Sequence, residues 1–283
     1  MAAFKQCDGC ARAVNWNDSQ ERRTWLLGLS TRPTPPTEAR AQVLAIAGWM
    51  LDSVDGNTTL GKQFFAESLA IMQQVGHRKG IADALNGLAV LESDANRSLA
   101  LAEQSVAIMR ELDDRLGLAD SLYYMGRIGR QRGDFDLARA CWIEVNALNE
   151  EMGIQGGLVL WHLGDLALAS GDQAAARHFF GRFVTERHAI GDRWALAWGL
   201  RGMSALALAE GQPERAAELL RAALALKESL ASPLKDAERA PYEALRSALR
   251  ESLGESALRA LWAKGRIMTP EEAVQYALER TSS

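Results

Sequence analysis

Residues 117–153 read GLADSLYYMGRIGRQRGDFDLARACWIEVNALNEEMG. Two amphipathic helical patterns flank a turn at Gly133-Asp134, and a second glycine closes the unit at Gly153. The same grammar recurs on both sides. Turn-like dipeptides stand at Gly56-Asn57, Gly133-Asp134, Gly171-Asp172 and Gly211-Gln212. A small residue recurs in the second helix of each unit, as Gly61, Ser98, Ala138, Ala176 and Ala216, at spacings of 37, 40, 38 and 40 residues. A fixed period of this size marks a stacked array, in which each helix pair buries its apolar face only against its neighbours.

Composition agrees. The 283 residues are rich in Ala and Leu and almost free of β-branched runs, which predicts an all-α chain. A net charge of −4 and a pI near 5.7 leave no basic stripe, so direct nucleic-acid binding is not expected. No apolar run reaches the roughly 18 residues that a membrane span needs. The N-terminal MAAFKQCDGC has no secretory apolar stretch, and three cysteines do not make a disulfide scaffold, so a cytoplasmic location is expected.

Residues 1–37 read as an N-terminal segment with one short helix (16–30) and a proline-rich linker. Its Cys7-Asp-Gly-Cys10 lacks the second pair of a zinc site and the βαβ setting of a redox motif, and reads as a frayed terminus or the stub of an earlier helix. Five repeats fill 38–231, the second being the shortest because Ser93–Asn96 replaces the Gly-Asp turn. Residues 232–283 read as capping helices, with Thr269 capping and Pro270 opening the last. Close helix approach explains the small residues. Gly48, Ala89, Gly126, Gly164 and Ser204 in the first helices face Gly61, Ser98, Ala138, Ala176 and Ala216 in the second. Phe135, Trp142 and Phe179 or Phe180 read as packing between helices.

The apolar-then-small pairs Met125-Gly126 and Leu163-Gly164, the Gly-Asp turns, and Ala138 and Ala176 downstream resemble tetratricopeptide repeats. The phrases at 68–71 (SLAI), 191–200 (GDRWALAWGL) and 211–220 (GQPERAAELL) resemble more closely the repeat region of bacterial signal-transduction ATPases. These are the LuxR-type and AfsR-like transcriptional regulators and related cyclase-linked proteins. The terminal stretch resembles their C-terminal end at 238–243, 253–255, 261–266 and 269–274. The likeness spans about Trp16 to Leu278 and implies a right-handed superhelical solenoid of about five tetratricopeptide-like helix pairs with a helical C-terminal cap. It also implies a sensor or scaffold part of a bacterial transcriptional regulator. The chain departs from the whole regulator: it has no GxxxxGK[ST] phosphate loop and no separate helix-turn-helix.

In such a stack the first helices line a concave groove. Counted from the small residue, the groove places hold Gln42, Trp49 and Asp52, then Asp83 and Asn86, then Asp120, Tyr123, Arg127, Arg130 and Gln131. The last two repeats add Trp161 and Asp165, then Trp198 and Arg201. The expected ligand-binding set is Trp49, Asn86, Tyr123, Arg127, Arg130, Trp161, Asp165, Trp198 and Arg201. Aromatics offer stiff contact area and Arg offers a planar fork, which suits a protein or peptide partner or a small carboxylate-bearing inducer. Ordinary solvated groove residues are the alternative. The carboxylate clamp of chaperone-binding relatives is matched only at Asn86. The histidines (His77, His162, His178, His188) fall at different repeat phases without HExxH spacing, and no GxSxG occurs, so neither enzyme activity nor a metal or cofactor is expected. A second reading is an adaptor that assembles proteins, or itself, through its convex face or ends, with Trp262 and Ile267 as exposed apolar residues.

Overall fold

The computed structural model describes residues 35–51, 58–155, 157–230 and 236–279, with isolated positions at 24 and 28. The short helix at 16–30, Cys7 and Cys10, Asp52, and the breaks at Gly56-Asn57 and Ser232-Pro233 lie outside them. Among the described residues there are twelve helices. They are α1 (Glu38–Met50), α2 (Thr58–Val75), α3 (Arg78–Leu91), α4 (Ala95–Glu111), α5 (Arg115–Gln131), α6 (Phe135–Glu151), α7 (Leu158–Ala169), α8 (Gln173–Ala189), α9 (Arg193–Ala209), α10 (Pro213–Ser229), α11 (Asp236–Ile267) and α12 (Pro270–Leu278). The chain forms an all-α, tetratricopeptide-like repeat fold. It divides into two units, 1–148 and 149–283, with the boundary inside α6.

Turn chemistry sets the helix ends. Asp94, Asp114, Asp172 and Asp192 each accept an N–H from the first turn of the helix they precede. Gly133, Gly171 and Gly211 hold φ of 78, 79 and 74° between paired helices, a region that costs an L side chain dearly. Asp113 takes the same left-handed conformation (φ 52°) where neighbouring repeats place Gly76, Gly153 and Gly191.

The small residues do bring helices together, and each has a volume partner. A Cβ at Gly48 would stand 2.8 Å from Phe65, one at Gly164 2.6 Å from Phe180, and one at Gly126 would overlap the Trp142 indole. Phe65, Trp142 and Phe180 stand four residues after Gly61, Ala138 and Ala176. Where the first helix carries Ala89 or Ser204 instead of glycine, the matching places hold the smaller Ala102 and Leu220. Glycine and an aromatic, or a larger residue and an aliphatic, fill the same space at core density. The serines add hydrogen bonds across the pair: Ser98 to the Ala89 carbonyl and Ser204 to the Ala216 carbonyl, each at 2.7 Å. Trp142 and Phe180 are buried, but Phe135 is 52% exposed, contrary to its reading as packing. It opens α6 immediately after the Asp134 cap, in the first turn of the helix.

In the first unit, ion pairs join neighbouring helices, Arg40–Glu67 within the first repeat and Lys62–Glu92 and Arg110–Glu144 between successive repeats. Exposed pairs of this kind each contribute little. In the second unit, α11 bends at Gly254 (φ 76°, ψ 161°) and packs along α10, with Gly265 against the α10 backbone. Helix α12 packs on α8, α9 and α10. Arg215 fixes it by donating to the carbonyls of Tyr276, Ala277 and Glu279 at 2.6, 3.2 and 2.6 Å, the otherwise orphaned acceptors of its C-terminus. No described helix is long and apolar enough to cross a membrane.

Candidate functional site

The first helices carry the expected groove residues in both units, each unit in its own way. In the first, Phe65 occupies the space over Gly48 and over Gly87, which has no side chain to resist it. Trp49 meets Phe65 edge-on (5.2 Å, 73°) and stacks on Tyr124 (4.9 Å, 19°). Tyr123 meets Tyr124 edge-on at 5.5 Å, and the Arg127 guanidinium lies 5.9 Å from the Tyr124 ring centroid. Trp49, Tyr123, Arg127 and Arg130 are half-buried. Stacking therefore links α1 to α5.

Asn86 belongs to the core, not to the open face. It is 3% exposed, and its amide donates to Ser121 at 3.0 Å. Ser121 donates to the Gly117 carbonyl at 2.9 Å, and Ser105, also at 2.9 Å from Ser121, holds the Ala82 carbonyl at 2.9 Å. The groove phase placed Asn86 correctly along α3, but the small Ser121 on the next first helix lets the amide turn inward to a partner.

Carboxylates take the open positions instead. Asp83 is open to solvent on one side and walled by protein on the others. Lost hydration lifts its carboxyl to about 6, with Asp120 and Asp114 adding to the rise and Lys79 opposing it. Burial raises Asp120 as well. Burial also raises the Tyr123 phenol, which Arg127 draws down and Asp120 pushes up. The buried Cys141 thiol is pushed to about 11, chiefly by burial, so it is not a thiolate at neutral pH.

The second unit collects aromatics around cations. Trp161, Trp194 and Trp198 sit half-buried on a small apolar cluster of Leu160, Phe183 and Ala195. Trp198 is 4.2 Å from Trp194 and 6.0 Å from Trp161 between centroids. The Arg201 guanidinium lies 5.1 Å from the Trp161 centroid and 5.7 Å from that of Tyr242. The Lys227 ammonium lies 5.8 Å from Trp194 and 6.0 Å from the same Tyr242. Each cation thus lies near two aromatic rings, where the ring quadrupole attracts it. Lys227 and Tyr242 are 2% and 3% exposed. The Trp161 indole N–H is buried with no acceptor among the described residues. Asp165 is half-buried on the same helix as Trp161.

Trp161, Trp198 and Arg201 are therefore brought together, whereas Trp49, Tyr123 and Arg127 form a separate set. Trp194, Lys227 and Tyr242 were missed from the sequence. Register could have found Lys227, since its place after Ala216 is that of Met72 after Gly61 and Met109 after Ser98. Both methionines are buried. Elsewhere, a recess of about 310 Å³ lies between the α8–α9 turn and the start of α12, with Arg187, Arg193 and Glu271 in its lining. Among the described residues no three His, Cys, Asp or Glu are grouped to hold a metal.

No family model matches the chain, and no curated protein matches it. Solved structures do. BtubC (BKLC) from P. vanneervenii superposes with a TM-score of 0.61 at 14% identity, over 77% of this chain and 91% of that one. A crystal structure of a Podosopora anserina protein, described as a kinesin light chain with nearly identical TPR-like repeats, gives 0.56 at 15% identity, over 69% and 98%. At these identities the likeness establishes the fold. The chain is a tetratricopeptide-like repeat protein in architecture.

Proposed function

We propose that the chain is a non-catalytic binding module, the sensor or scaffold part of a bacterial transcriptional regulator, acting in the cytoplasm. Its second unit docks a carboxylate-bearing peptide. One observation carries this reading: Arg201 lies close to both the Trp161 and Tyr242 rings. A guanidinium held against rings is pre-organised and loses less freedom on binding a planar acceptor than a solvated one. The buried Trp161 N–H without an acceptor supports the same class of ligand. The regulator context rests on the sequence phrases at 191–200 and 211–220 and on the terminal stretch.

Fluorescence anisotropy with two labelled peptides tests it, one alternating Glu and Leu, the other alternating Lys and Leu. The acidic peptide binds the wild type and loses about tenfold or more in affinity with Arg201→Ala, a charge-assisted fork being worth about 1.5–3 kcal/mol. Equal binding of both peptides, or an unaffected Arg201→Ala, would move the site elsewhere. A second reading, self-assembly through the terminal helices, has one observation behind it: Ile267 is 80% exposed. Trp262 does not add to it, being half-buried with Arg246 at 5.7 Å from its ring. A sedimentation series holding one mass across concentrations would end that reading.

A further inference from the structure

We infer that Tyr242, on the terminal helix α11, is a positioning residue for this site and couples ligand binding at Arg201 to the docking of α11. The inference rests on the carboxylate-binding reading of the second unit. Tyr242 is 3% exposed, so it does not meet a ligand itself. Its ring instead lies near Arg201 of α9, at 5.7 Å, and near Lys227 of α10, at 6.0 Å. The ring therefore serves two cations from two neighbouring helices. Ring attraction offsets part of the cost of holding both charges at one place.

The helix that carries Tyr242 is built in two segments. Gly254, with φ 76° and ψ 161°, separates residues 236–253 from 255–267. The later segment is held independently of Tyr242, through Gly265 on the α10 backbone and Lys264 facing Glu218 at 3.6 Å. The earlier segment carries Tyr242 and the fully buried Leu249. It can loosen at the Gly254 corner without releasing the rest of the cap. A ligand that engages Arg201 in its stacked position favours the docked segment. By reciprocity, a docked segment favours the ligand.

Two variants and one exchange measurement test this. Tyr242→Phe keeps the ring and binds the Glu-Leu peptide like the wild type. Tyr242→Leu keeps an apolar side chain, loses the ring face, and binds about tenfold more weakly, with an unchanged helical circular-dichroism spectrum. Hydrogen exchange followed by mass spectrometry reads the coupling: saturating peptide slows exchange across 239–253 in the wild type and in Tyr242→Phe, but not in Tyr242→Leu. Equal affinity for all three proteins, or exchange across 239–253 indifferent to peptide, would overturn the inference. If the peptide does not bind the wild type at all, the docking reading fails while the positioning contact stays testable. Arg201→Ala alone then speeds exchange across 239–253 if Arg201 and Tyr242 hold each other, and unchanged exchange refutes the contact.

Discussion

In the first unit Trp49, Tyr124 and Tyr123 stack on one another, and the open groove places go to Asp83 and Asp120. In the second, Trp161 and Trp198 stand at groove places on α7 and α9 with Trp194 beside Trp198, and Arg201 and Lys227 lie by the Trp161 and Trp194 rings. The phases match. Six residues before the small residue the chain places Asp83, Asp120 and Trp198; three before it, Asn86, Tyr123, Trp161 and Arg201. One backbone rule thus carries two groove chemistries, acidic and cationic-aromatic. The rule lies in the glycine–aromatic pairs beneath, which are common to both units: Gly126 with Trp142 and Gly164 with Phe180.

The hardest blow to the shared rule is Gly126→Leu or Gly164→Leu. Each forces a branched side chain into Trp142 or Phe180 and lowers unfolding free energy by about 3 kcal/mol in a urea titration. If either is tolerated within a few tenths, glycine–aromatic pairing does not hold that unit together. The difference between the units is sharpened by a pair of arginines. Arg201→Ala costs about tenfold in acidic-peptide affinity, whereas Arg127→Ala, with Asp120 acting on the same Tyr123, changes it by less than about twofold. Similar losses from both would erase the contrast.

These expectations separate what was legible in the sequence from what was not. The period and the small residues could be read because a close helix approach admits few side chains, so the pattern recurs at Gly48, Gly126 and Gly164. Groove phase picked out half-buried side chains at Trp161 and Arg201. It failed at Asn86, because Ser121, 35 residues later, supplies an inward hydrogen-bond partner. Tyr242 was hidden for a related reason. Its contacts are with α9 and α10, and no period relates the terminal helix to them.

Smaller effects test the acidic side. The folded-state carboxyl of Asp83 titrates near 6, above its ordinary 3.8, so the folded chain binds more protons than the unfolded between those values. Stability from this group is greatest below the ordinary value and falls as pH rises through 6. Asp83→Asn therefore raises thermal stability at pH 7, by about 1 kcal/mol at most given its solvent-facing side, and changes little at about pH 3. A stabilisation independent of pH would remove hydration loss at Asp83 as its cause. Least of all, Asp113→Gly relieves the left-handed residue where other repeats use glycine, and gains about 0.5 kcal/mol in the same urea assay. A loss would mean that the Asp113 side chain serves the turn.

The contrast between the grooves is read most directly from the indole N–H resonances of ¹⁵N-labelled protein, titrated with the Glu-Leu peptide. Trp161, Trp194 and Trp198 are expected to shift together along one saturating curve while Trp49 and Trp142 stay in place, and the curve is expected to vanish in Arg201→Ala. Shifts at Trp49 with Trp161 and Trp198 unmoved would refute the contrast.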